Sequence, residues 1–207
     1  MSEQDKINEI PVAKVTGRGK RKKKTEAEAA PNEQPLQART MAPGVLDTLR
    51  TVPFFEPVHS DEEALMALAT RMTLRRVPTG TEVLKEGEAG DEVFILFRGE
   101  VAVLRRTLDA EEYTVALLRA QDQPFFGELA LLDEDKRSAT IRATQDSEML
   151  VLRRADFESL GDDLPDVGLA ITRSLSRILS RRLRQTNDDV LLLFEALVKE
   201  IRGEELN

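Results

Sequence analysis

The sequence predicts an α+β fold: a jelly-roll-like barrel of short strands, flanked by N-terminal helices and followed by one long C-terminal helix. Three observations carry that prediction. Between Met72 and Arg153 the apolar pattern runs with a period of two, broken by turn residues at short intervals. From Asp166 to Ile201 the apolar residues step by threes and fours with no proline. Hydrophobic residues make up 41% of the 207 and aromatics only 4%, so the core must be built mainly from Val, Leu, Ile and Ala.

The chain divides into three parts. Residues 1–44 read as a disordered basic tail, rich in Lys, Glu, Ala, Pro and Gly and without apolar periodicity. Residues 45–164 read as the folded domain, and residues 165–207 as the long helix. At the domain's start, GVLDTLRTVPFF reads as a short helix ended by Pro53. SDEEALMALATR reads as a second, with Ser60 as N-cap, Glu63 completing a capping box, and Leu65, Leu68 and Ala69 on one face. The strand candidates are TEVLKEG, DEVFILF, EVAVLRR, YTVALLR, SATIRA and SEMLVLR. Gly80, Gly87 and Gly99 fall at the corners between them. Asp156–Leu160 is a short helical segment that Gly161 and Pro165 are expected to break. The final helix carries Ile171, Leu175, Leu179, Leu183, Thr186, Val190, Leu193, Leu197 and Ile201 on one stripe. A helix of about 36 residues is roughly 54 Å long, more than one small domain covers. Its apolar far half therefore predicts a homodimer through this helix, the alternative being a hairpin near Asn187-Asp188.

Composition narrows the function classes. There is no cysteine, which excludes disulfides and thiolate chemistry and fits a reducing, cytoplasmic compartment. No apolar run reaches the ~18 residues of a membrane span, and no secretory signal is visible. Residues 1–44 hold nine Lys/Arg and six Asp/Glu, leaving 21 and 32 for the rest, so the folded part is acidic. Nucleic acid is then a candidate partner only through the run Arg18–Lys24. The one histidine, His59, has no nucleophile or metal partner by spacing, and Asp133-Glu134-Asp135 lacks the spacing of a calcium loop. No phosphate loop is present. The expectation is a protein that is not an enzyme and holds no metal.

One stretch, FGELALLDEDKRSATIRA from Phe126 to Ala143, carries a constellation. Gly127 opens a short helical run whose backbone N–H groups favour an anion. Arg137 can offer a forked pair of donors to a phosphate. Ser138 adds a hydroxyl. Glu128 accepts only, which suits a sugar hydroxyl. These parts suit a ligand with one phosphate beside a ribose hydroxyl.

FGELALL, four intervening residues and RSATIRA resemble the phosphate-binding cassette of cyclic nucleotide-binding domains, as found in catabolite activator proteins, protein kinase A regulatory subunits and gated channels. PTGTEVLKEGEAGDEVFILFRGEVAV resembles the first strands of the same β-roll, so the resemblance covers residues 45–190. It implies a cyclic-nucleotide ligand, cyclic AMP ahead of cyclic GMP. It implies that Glu128 holds the ribose 2′-OH, that Gly127, Leu129 and Ala139 belong to the cassette backbone, and that Arg137 with Ser138 takes the cyclic phosphate. SRRLRQTNDDV resembles the base-contacting part of the dimer helix, which implies that Thr186 meets the purine in its own subunit and Asn187 in the partner. Two departures stand out. RAQDQPF is longer than usual and lacks the customary glycine. The sequence ends at Asn207 without a helix-turn-helix segment, so the expected output is altered binding to a protein not identified by the sequence. The alternatives are a nucleic-acid-binding regulator acting through the basic tail and a ligand-free dimeric scaffold.

Overall fold

The computed structural model describes residues 32–36, 44–107, 111–133 and 136–202. The basic run Arg18–Lys24, Glu134, Asp135 and residues 203–207 lie outside them. Two antiparallel sheets face each other. The first has the order β1 (Asn32–Pro35), β2 (Thr73–Val77), β9 (Ser147–Arg153), β4 (Glu92–Arg98), β7 (Phe125–Phe126). The second runs β3 (Glu82–Leu84), β8 (Thr140–Ala143), β5 (Glu100–Arg106), β6 (Glu112–Arg119). The two sheets are not joined into a closed barrel, a correction to the jelly-roll-like barrel expected. β7 and β3, at two and three residues, are too short to carry the ladder around.

Alternation explains how the first sheet is buried on both faces. Phe94, Leu96, Met149 and Val151 point between the sheets, where they meet Val101, Phe126 and Ile141. Val93, Ile95, Leu150 and Leu152 point the other way, onto the helices. Those helices are α1 (Val45–Leu49), a 3-10 turn at Pro53–Val58, α2 (Glu62–Ala69), α3 (Arg154–Asp163) and α4 (Pro165–Arg202). Full burial of Leu65, Leu68, Phe54 and Phe55 stabilises this layer by about 1.5–3 kcal/mol per side chain. Gly99 turns the β4–β5 hairpin at φ 93°, where a Cβ would overlap Ser147.

Three local expectations are corrected. The N-cap of α2 is Asp61, whose side chain accepts from Ala64 N at 3.0 Å, not Ser60. Pro53 does not end α1 but opens the 3-10 turn four residues beyond Leu49, the last residue of that helix. Gly161 does not break α3. It lies inside that helix against Gly168 of α4, where a Cβ would stand 2.6 Å from the Gly161 Cα, so the glycine pair sets the close crossing of the two helices. Pro165 does end the segment as expected, since α3 stops at Asp163 and Pro165 is the first residue of α4, a position where its missing N–H costs nothing. The long helix is unbroken through Asn187-Asp188, so no hairpin forms there.

Nor does the tail reading hold at Asn32–Leu36. Asn32–Pro35 add an edge strand to β2, and Leu36 is buried. The strand is held by charge. Glu33 pairs with Arg75 and Arg153, and both of those arginines also grip Glu92, Arg75 through two bonds of 2.9 and 2.6 Å. Burial pushes the Glu92 carboxyl up, but its hydrogen bonds and ion pairs with Arg75 and Arg153 outweigh this and hold it below the ordinary carboxylate value. A depressed carboxylate contributes stability that is complete above its unfolded pKa and is lost as pH falls through the folded one. Denaturant midpoints are therefore expected to drop below about pH 4, and Glu92→Gln is expected to cost about 3 kcal/mol at pH 7 and to flatten that acid limb. Urea melts of both proteins from pH 3 to 7 check this; parallel pH profiles would contradict it.

Candidate functional site

The β3–β4 loop and the cassette are tied by their backbones. Gly87 N donates to the Arg137 carbonyl at 2.9 Å, Arg137 N donates to the Glu88 carbonyl at 2.8 Å, and Ala89 bridges to Lys136. This fixes where the Arg137 side chain starts. The side chain then runs inward, and Nη1 donates to the Gly127 carbonyl at 3.1 Å and Nη2 to the Glu92 carbonyl at 2.8 Å. Arg137 is 9% exposed. Gly90 and Gly127 make its seat: a Cβ at Gly90 would overlap the guanidinium, and one at Gly127 would stand 2.8 Å from Nη1. Gly127 sits at φ 76°, so only glycine meets both demands without strain.

Among the described residues Arg137 has no carboxylate partner within ion-pair distance. Burial pulls its guanidinium below the ordinary value, and the fields of Glu92, Asp91 and Glu128 offset only part of that. The group is a desolvated cation resting on neutral carbonyls. A cavity of about 400 Å³ opens beside it, lined by Arg137, Val83, Leu84, Gly90, Glu92 and others of the β3–β4 loop.

Glu128 opens the 3-10 turn Glu128–Leu131 and is 7% exposed. Its carboxylate pairs with Arg182 of α4, whose guanidinium also lies 4.9 Å from the centre of the Phe125 ring. At the other end of the turn Arg154 donates to the Ala130 carbonyl at 2.6 Å. Leu129 is half exposed, Ala139 is partly buried, and the Ser138 side chain is exposed while its carbonyl accepts from Arg105.

The structure thus gathers Gly127, Glu128 and Arg137 but does not set them around one open hollow. The cavity lies on the β3–β4 side of Arg137, and neither Glu128 nor α4 lines it. Thr186 and Asn187 are exposed on α4, and Thr186 Oγ1 donates to the Arg182 carbonyl at 2.9 Å. Thr186 is one turn beyond Arg182, about 6 Å along the axis, on the face that meets the cassette. Arg182 escaped the sequence reading. Its only signal was its place four residues before Thr186 in a segment full of arginines.

The missing glycine of RAQDQPF is replaced by conformation. Gln123 takes φ 49°, the one non-glycine residue at positive φ among those described, and ends a 3-10 turn at Ala120–Asp122. His59 Nε2 donates to the Val52 carbonyl at 3.2 Å. Among the described residues no acidic or imidazole cluster suits a metal, and no helix is long and apolar enough to cross a membrane.

Two facing antiparallel sheets, a glycine-capped cassette with a buried arginine and glutamate, and a long trailing helix define a small-ligand-binding β-roll. Residues 74–163 match the cyclic nucleotide-binding domain family. It is similar to the cyclic AMP receptor protein of Thermus thermophilus, 36% identical over 122 residues, 58% of this chain and 54% of the relative. It is 34% identical over 117 residues to isozyme 1 of the cGMP-dependent protein kinase of Drosophila melanogaster, 56% of this chain and 15% of the kinase. Among solved structures, the N-terminal domain of a transcriptional regulator from Streptomyces coelicolor superposes with a TM-score of 0.59 at 30% identity, over 70% of this chain and 95% of that domain. The chain spans about half the length of the receptor proteins it matches.

Proposed function

We propose that this chain is a cyclic-nucleotide sensor, with cyclic AMP preferred over cyclic GMP, and that ligand binding changes its affinity for a protein partner. It is a binding regulator and not an enzyme. The observation that carries this reading is Arg137, a buried cation with neutral hydrogen-bond partners beside a cavity. A cyclic phosphate would supply the missing negative charge, and a charge-assisted bond is stronger than those to the two carbonyls it replaces. The preference for cyclic AMP rests on the receptor relative.

The same exchange reaches α4. Glu128 holds Arg182 now; a ribose hydroxyl donating to Glu128 would compete for that carboxylate. Ligand would therefore bias where α4 lies against the roll, a population shift between two helix positions. The far half of α4 leaves Leu183, Val190, Leu193 and Leu197 exposed at heptad spacing, with Leu193 at 71%. That seam favours a homodimer, in which Asn187 approaches the cassette of the second subunit.

The test is a thermal-shift panel of cyclic AMP, cyclic GMP and cyclic dinucleotides. Ligand at 100 times its Kd is expected to add about 2.7 kcal/mol, a rise of roughly 5–10 °C. No shift with any cyclic mononucleotide would leave the domain a ligand-free dimer platform.

A further inference from the structure

α4 carries a surface that neither the nucleotide nor the dimer seam uses. From Val167 to Asn187 the sequence has five arginines and no acid, within a chain whose folded part is acidic. Arg182 faces the roll and is paired with Glu128. The other four, Arg173, Arg177, Arg181 and Arg184, are exposed, and among the described residues their side chains make no ion pair or hydrogen bond. Arg50, Arg71, Arg75, Arg76, Arg142 and Arg153, by contrast, each hold a carboxylate. At about 100° per residue the four fall on one face of the helix. That face is opposite Ile171 and Leu175, which pack into the core, and roughly 130° around from the Leu179–Leu183–Val190 seam. Ser176 and Ser180 lie between the arginines, and with Arg177, Arg181 and Arg184 they line a shallow notch.

The stripe is short and bracketed. Arg173 to Arg184 spans about 16 Å along the axis. Asp162, Asp163 and Asp166 precede it, and Asp188 and Asp189 follow it. A long polyanion, whether duplex DNA or an anionic membrane, would run onto carboxylates at both ends. A short acidic segment would not. The arginine spacing of four, four and three is itself that of a helix, so carboxylates spaced alike on a second helix can meet each guanidinium in turn.

We propose that this stripe docks a helical segment of a partner protein, about twenty residues long, whose central twelve carry carboxylates at i, i+4, i+8 and i+11 and whose two ends beyond them carry basic residues. The basic ends meet the aspartates that bracket the stripe. In a dimer the two stripes lie on outward faces, so each subunit presents one.

The proposal is tested on the full chain by fluorescence anisotropy at about 100 mM salt. The probes are a labelled synthetic peptide of that pattern, the same peptide without its basic ends, its Lys-for-Glu counterpart, and a random DNA duplex of about 30 base pairs. The variant is Arg177→Glu/Arg181→Glu, with Arg177→Gln/Arg181→Gln as a milder pair and circular dichroism melts as the folding control. The acidic peptide is expected to bind the parent at least tenfold more tightly than the reversed variant and than the end-stripped peptide binds the parent. The Lys-for-Glu peptide should prefer the reversed variant. The proposal is overturned if the acidic peptide fails to bind the parent or binds both proteins equally. It is also overturned if the duplex is the probe whose binding the reversal abolishes.

Discussion

Replacing Arg137 with alanine is expected to weaken cyclic-nucleotide binding by about 30-fold to several thousand-fold, the 2–5 kcal/mol lost when a buried charged contact is truncated. The fold should tolerate the change better than the ligand does. The guanidinium is already desolvated, and its removal leaves only the Gly127 and Glu92 carbonyls without these donors, beside a cavity that water can enter. Arg137→Lys is the informative companion. It keeps the positive charge but loses the fork that spans two acceptors, so it should recover only part of the affinity. Isothermal titration of the three proteins checks this. Equal affinity for parent and Arg137→Ala would remove the cassette from the account.

The second large effect is on assembly. Val190→Asp with Leu197→Asp places two charges in the exposed seam of α4, and the double variant is expected to be monomeric at concentrations where the parent is a dimer. Neither residue touches the roll, so thermal stability of the domain should change little. Sedimentation velocity separates the outcomes. A parent that sediments as a monomer, or a dimer that survives both substitutions, would contradict the seam. If Asn187 reaches across the dimer, the double variant should also bind cyclic AMP more weakly than the parent.

How much of this was readable in the residues depends on how local each cause is. Six of the strands from Glu82 to Arg153 were legible because alternation and glycine corners are local; β7, two residues long, was not. α4 was legible too, because its period runs uninterrupted for ten turns. β1 was not, because NEQP has no strand propensity and carries a proline that only an edge strand accepts. It is ordered by pairing with β2 and by the Glu33 ion pairs, both set by residues about forty and more positions away. Gly161 reads as a breaker in sequence, yet the helix runs through it because Gly168 packs there from a neighbouring helix. In the cassette, Gly127, Glu128 and Arg137 were readable as types at a spacing. The carbonyls that Arg137 occupies and the arginine that occupies Glu128 were not, since both contacts join elements far apart in the chain. Thr186 and Asn187 were read from resemblance, and both are exposed on α4.

On binding, Arg137 is expected to exchange two backbone carbonyls for a cyclic phosphate. A crystal structure of the full chain grown with cyclic AMP tests it most directly. The phosphate is expected within hydrogen-bond distance of the Arg137 guanidinium, with at least one of the Gly127 and Glu92 carbonyls released and the ribose hydroxyl on Glu128. A nucleotide bound elsewhere, with Arg137 still donating to both carbonyls and Glu128 still closed on Arg182, would contradict it.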